Sequence, residues 1–117
     1  MVIVPNKSLV TQTEADYINL GLDVGVYFGD RKETGRTHTI CTWQSLNQII
    51  KDSQNGIAVI EIRDFIQDVV AVIVDECHMA KADILLSMLS NSMNKIPIRW
   101  GLTGTIPKEE YAQQAFA

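Results

Sequence analysis

At 117 residues, with 46% hydrophobic and 21% charged side chains, the chain is one domain or part of a larger one, with the composition of an ordinary globular protein. A formal net charge of -4 excludes a nucleic-acid binder that works by bulk positive charge, so any phosphate contact has to come from helix N-termini and single Lys or Arg side chains. Cys41 and Cys77 form neither a CxxC pair nor a disulfide framework, the Met1–Pro5 opening has no basic leader, and no apolar run approaches the ~20 residues of a membrane helix; a soluble cytoplasmic protein is expected.

Val2-Ile3-Val4, stopped by Pro5, reads as a short buried parallel strand. From Asn6 or Ser8 to Leu20 the pattern is helical, with Leu9, Val10, Tyr17, Ile18 and Leu20 as its apolar face and Gly21 as the stop. Val24–Phe28 is a second strand, Gly29–Arg36 a polar loop, and Thr37–Cys41 a third strand. Thr42 caps a helix running from about Trp43 to Lys51 with Leu46, Ile49 and Ile50 on one side. Asp52–Gly56 is a loop. Residues 57–67 are ambiguous and resemble an insertion, with Ile57–Ile60 as a possible extended piece and Arg63–Gln67 as a possible short helix.

Val69–Val74 is uniformly apolar and β-branched, the pattern of a strand buried on both faces. A helix from about Lys81 to Met93 follows, with Ile84, Leu85, Met88 and Leu89 as its core stripe. Ile98–Leu102 is the last strand, and a short helix starts at Pro107. Alternating strands and helices predict an α/β fold with a mainly parallel sheet flanked by helices. In such sheets chemistry gathers at the carboxyl ends of the strands, here after Val4, Cys41, Val74 and Leu102.

At the end of the most apolar strand stand Asp75-Glu76-Cys77-His78. Two adjacent carboxylates beside a buried strand cost several kcal/mol unless a cation or hydrogen bonds compensate. In nucleoside triphosphatases a strand-end Asp holds Mg²⁺, often through water, and a neighbouring acid orients the attacking water. The alternative is structural: Asp75 caps the next helix, and Glu76 and His78 are solvated loop residues.

Val74-Asp75-Glu76-Cys77-His78 resembles motif II of superfamily-2 helicases, in the DExH branch. In the expected order, Val4-Pro5-Asn6-Lys7-Ser8-Leu9-Val10-Thr11-Gln12 resembles motif Ia, and Thr42-Trp43-Gln44-Ser45-Leu46 resembles the later DNA-contacting motif. Gly101-Leu102-Thr103-Gly104-Thr105 resembles motif III. Together they span nearly the whole chain, and the Thr-Trp-Gln and Asp-Glu-Cys-His segments look like those of phage recombination and repair helicases of the UvsW type.

The resemblance implies a partial RecA-like (P-loop NTPase) domain over residues 1–117, running from motif Ia to motif III, in a parent that couples Mg-ATP hydrolysis to DNA unwinding or branch migration. It implies that Asp75 binds Mg²⁺ and that Asp75 and Glu76 are catalytic. His78, Thr103 and Thr105 would couple the nucleotide to DNA, and Pro5, Asn6, Lys7, Gln12, Thr42, Trp43 and Gln44 would touch nucleic acid. Physical reasoning supports part of this list: Asn6–Leu9 and Thr42–Ser45 each open a helix whose free N–H groups and dipole can hold a phosphate, aided by Lys7. Trp43 either stacks on the strand or fills the core; Thr103 and Thr105 either reach Asp75 and His78 or simply form the turn.

No G-x-x-x-x-G-K-[ST] phosphate loop occurs in the 117 residues. The chain is therefore expected to be a piece whose phosphate loop and second motor domain lie elsewhere in cis, inactive alone, with Ile98–Leu102 as an unpaired edge prone to self-association. Two other readings compete: a non-catalytic nucleic-acid or partner-binding module, and a stand-alone metal-dependent hydrolase built on Asp75 and Glu76. A zinc site from His38, Cys41, Cys77 and His78 is disfavoured, because a three-residue offset in a strand sends His38 and Cys41 to opposite faces.

Overall fold

The computed structural model describes residues 1–76 and 82–102. Six strands form one sheet in the order β3-β2-β4-β1-β5-β6. The strands are β1 (Val2–Val4), β2 (Val24–Phe28), β3 (Arg31–Lys32), β4 (His38–Thr42), β5 (Ala71–Asp75) and β6 (Ile98–Leu102). All neighbouring pairs are parallel except β2–β3, an antiparallel hairpin. The helices are α1 (Lys7–Asn19), α2 (Trp43–Gln54), α3 (Ile62–Ile66) and α4 (Ala82–Ser87), the last running into a π-helical turn at Met88–Ser92. Among the described residues no helix is long and apolar enough to cross a membrane.

Two apolar layers hold the sheet. On one side Ile3, Tyr27, Cys41, Val72 and Val74 meet Leu46, Ile49 and Ile50 of α2 together with Met88, Leu89, Met93 and Ile96. On the other, Val2, Val4, Val26 and Ile40 meet Val10 of α1, flanked by Leu9 and Tyr17. Strand alternation produces this division: successive side chains leave opposite faces, so Val2 and Val4 go one way and Ile3 the other.

Helix starts and stops follow the local chemistry. Asn6 Oδ1 accepts from the Leu9 N–H at 3.0 Å, and Thr42 Oγ1 accepts from the Ser45 N–H at 3.2 Å. Each cap satisfies an otherwise orphaned donor and is worth about 1 kcal/mol. Gly21 ends α1 with φ +78°, a backbone conformation that strains any other residue.

Several expectations need correction. The loop expected at Gly29–Arg36 contains β3, turned by Gly29 at φ +50°. β3 went unrecognised because a two-residue strand has no periodicity to read. α2 runs to Gln54, past the expected Lys51 end, since nothing in Asp52-Ser53-Gln54 breaks a helix and Gly56 is the first residue that does. The short helix expected at Arg63–Gln67 is present as α3, one residue earlier, whereas residues 57–60 join no strand.

Ile18 and Leu20, assigned to the apolar face of α1, are 57% and 73% exposed, because only its Val10 side reaches the sheet. β5 begins at Ala71, leaving Val70 67% exposed outside it. Burial along β5 is also one-sided: Val72 and Val74 are buried, Ala71 and Ile73 only partly. Within the helix expected at 81–93, Met88 and Leu89 are buried as the stripe requires, and the last turn widens into the π form, where Arg99 Nη1 donates to the Leu89 carbonyl at 3.2 Å.

Candidate functional site

Register decides where the motif residues meet. Val4 pairs with Thr42, Ile3 with Val74, and Asp75 with Leu102. The carboxyl ends of β4, β1, β5 and β6 therefore finish in one line along one rim of the sheet. Pro5 follows β1, Trp43 follows β4, and Asp75 closes β5. Val4 and Thr42, and Ile3 and Val74, far apart in sequence, become neighbours because β1 lies between β4 and β5.

β1 and β4 end in capped helices, so the first amides of α1 and α2 open at the same rim. Gln44 joins the two segments: its Nε2 donates to the Pro5 carbonyl at 3.2 Å. Thr42 is buried, and besides its capping bond its hydroxyl donates to Ser45 Oγ at 2.9 Å. Its role is thus to fix the helix start; Pro5 is likewise buried, whereas Asn6, Lys7 and Gln44 of the predicted contacts are exposed. Trp43 is half-buried and packs against the α2-side core, so its ring contributes to packing. Gln12 is exposed on α1 one turn beyond the row.

At β5 the chain does something unusual. Glu76 has φ +51°, the only non-glycine residue in the left-handed region among those described. Such a conformation costs about 1–3 kcal/mol and persists where its surroundings enforce it, typically at functional sites. Here Asp75 helps to hold it: Asp75 Oδ1 accepts the Glu76 N–H at 2.9 Å, closing a tight local turn. Both residues are partly buried. The turn thus places two adjacent acidic residues at the end of an apolar strand.

Asp75 lies on the sheet side occupied by Ile73, since side chains two apart share a face. α1 covers only the β1, β2 and β4 part of this side. Ile98, Trp100 and Leu102 of β6, in register with Ala71, Ile73 and Asp75, are 42%, 60% and 49% exposed. The Asp75 carboxylate thus borders a part of the sheet that no described element covers. Cys77, His78, Thr103 and Thr105 lie outside the described residues.

Of the four zinc candidates, His38 and Cys41 are among the described residues, and these two do not converge. Cys41 is fully buried in the α2-side core, where burial pushes its thiol up to about 12. His38 faces α1, its ring edge-on to Tyr17 at 5.8 Å and its Nδ1 3.1 Å from the Asp23 carbonyl. The two side chains leave opposite faces of β4.

Residues 1–108 match the family described as type III restriction enzyme, res subunit. No curated protein matches the chain in sequence. Two solved structures of the UvsW helicase from bacteriophage T4 resemble it in fold. One has a TM-score of 0.71 at 20% identity, covering 97% of this chain and 40% of that one. The other has a TM-score of 0.72 at 21% identity, covering 97% and 23%. The chain thus spans less than half the length of either structure. With the family match over most of its length and a mainly parallel sheet, the chain belongs to the type III restriction enzyme res-subunit family, and its fold is that of a partial RecA-like helicase domain.

Proposed function

We propose that this chain carries the Mg-ATP carboxylates and part of the nucleic-acid track of an ATP-driven DNA helicase or translocase. The observation that supports it most is the strained turn at Glu76, set by Asp75 at the same rim as two capped helix N-termini. The donor chemistry fits magnesium. Among the described residues no cluster of three or more His, Cys, Asp or Glu could hold a metal ion by itself. Mg²⁺ does not require one: it keeps several waters and takes one or two carboxylates beside the substrate phosphates.

In this reading Asp75 would hold the ion, which when bound would neutralise charge on the phosphates. Glu76 accepts a proton from the attacking water. The first amides of α1, with Lys7, hold a backbone phosphate of the DNA; Gln44 adds a polar contact and ties this segment to α2. His78, Thr103 and Thr105 relay nucleotide state to the DNA side. The gripping phosphate loop and the second motor domain are supplied in cis by the larger polypeptide.

The test separates catalysis from binding. In a polypeptide joining this chain to a phosphate loop and second motor domain, Glu76→Gln lowers DNA-stimulated ATP hydrolysis by about 10²-fold or more while nucleotide binding persists. Turnover that survives the substitution overturns the assignment. The 117-residue chain alone turns over no ATP. Binding of DNA without turnover in the joined polypeptide would instead favour a non-catalytic module.

A further inference from the structure

The β2–β3 hairpin stands at the same rim as the contact row, and its cations are used unequally. Arg31 is bound by Glu14 at 2.7 Å and Glu33 at 2.9 Å, and Arg36 by Asp23 at 2.9 Å. Lys32 is exposed and enters no ion pair among the described residues; its Nζ stands 5.0 Å from the centroid of the Tyr27 ring. Lys7, equally exposed, reaches the hairpin turn from the opposite face, with its Nζ 3.8 Å from where a Cβ on Gly29 would stand.

Between the hairpin and α2 lies an open pocket of about 520 Å³, lined by Tyr27, Lys32, Gln44, Gln48, Asp52 and Ile60 among others. That volume is within the usual range for a small-molecule site. Its chemistry is divided. Asp52 accepts from Gln48 Nε2 at 2.8 Å and places a negative charge in the wall, so a phosphate is repelled from the interior. Amides at Gln44 and Gln48 and apolar surface at Ile49 and Ile60 suit a flat, neutral, polar-edged group. Lys32 is the cation among the residues lining it. Gln44 is shared with the contact row through its bond to the Pro5 carbonyl.

We propose that this pocket is a nucleotide subsite continuous with the Pro5–Gln44 row, in which Lys32 holds a backbone phosphate and one base of single-stranded DNA enters beside Gln44, Gln48 and Asp52. The proposal rests on the nucleic-acid reading of that row and extends the track to a hairpin outside every motif. Binding of a fluorescent twelve-nucleotide oligothymidylate to the 117-residue chain, followed by anisotropy across a salt series, tests it. Lys32→Ala weakens binding by roughly three- to tenfold and flattens the log–log salt slope by about 1, the signature of one lost phosphate contact.

Lys32→Arg restores both values. Lys51→Ala, on α2 but outside the pocket, changes neither. An abasic oligomer of equal length binds more weakly than oligothymidylate, and Gln48→Ala removes that preference. Circular dichroism and melting curves establish that each variant is folded. If Gln44→Ala weakens binding but Lys32→Ala does not, the subsite is wrong and the contact row stands. An equal loss in Lys51→Ala, or equal affinity for the abasic strand, also overturns the subsite. No binding by the wild-type chain removes the row and the subsite together.

Discussion

The two ends of the sheet are built on different principles. At one end β3 is two residues long, carries Arg31 and Lys32, and is tied down by ion pairs to Glu14 and Glu33, while α1 covers the neighbouring strands. At the other, β6 is five residues long, pairs only with β5 among the described residues, and exposes Ile98, Trp100 and Leu102 on one face. A short, charged edge resists pairing with other strands; a longer apolar edge with unpaired backbone groups invites it. Among the described residues the first end is charged and covered, and the second is open apolar surface. The candidate carboxylates sit at the boundary with the second end, beside the half of the α1 side that is open.

That contrast can be tested from its largest consequence downward. Ile40 is fully buried beneath α1, whereas Trp100 lies on the same side of the sheet but is 60% exposed. Ile40→Ala costs about 2–5 kcal/mol by urea unfolding, and Trp100→Ala under about 1 kcal/mol. Similar losses at both positions would mean that the β6 end is as well covered as the β2–β4 end.

Glu76 comes next. Most changes to glycine destabilise, but at φ +51° Glu76→Gly is neutral or stabilises by up to about 1 kcal/mol, since glycine adopts this conformation freely. A loss above about 1 kcal/mol in the same urea assay would show that the turn stores no strain. A gain in stability accompanied by loss of turnover in the joined polypeptide would mark Glu76 as held for chemistry.

Smaller effects are expected at the edges themselves. Trp100→Lys leaves stability within about 0.5 kcal/mol yet reduces self-association in sedimentation, as a charge on an open edge should. In the wild-type chain the β6 amides exchange with solvent faster than those of β1, which is flanked on both sides. Strong protection of β6 in a proven monomer would contradict an open edge.

The charged end responds to pH. Asp23 is held below the ordinary carboxylate range first by the Thr37 N–H and then by Arg36, so its folded pKa is depressed relative to the unfolded chain. Its contribution is fully present above about pH 4 and is lost as pH falls through the lowered folded value. The small difference in melting midpoint between wild type and Asp23→Asn at neutral pH therefore closes on acidification. A difference that persists unchanged into strong acid would remove Asp23 as its source.

Much of this arrangement is legible in contiguous residues. Apolar β-branched runs mark β1 and β5, Asn6 and Thr42 stand immediately before the helices they cap, and Asp75-Glu76 stands out at the end of an apolar strand. Such signals are local: a cap bonds three residues on, and strand alternation needs only a few positions. The hairpin escaped notice because β3 is too short for a pattern, and the exposed side of β5 because Ile73 has the same side chain whether or not a helix covers it.

Strand order is a different kind of fact. Placing β1 between β4 and β5 joins residues about 40 and 70 positions apart, and only that long-range pairing brings Pro5, Thr42 and Asp75 to a common rim. The bond from Gln44 to Pro5 and the pocket beside Lys32 depend on tertiary packing as well. The residue types suited to each task are thus written along the chain. Their meeting is set by the free energy of packing distant strands against shared helices, which no local window of sequence contains.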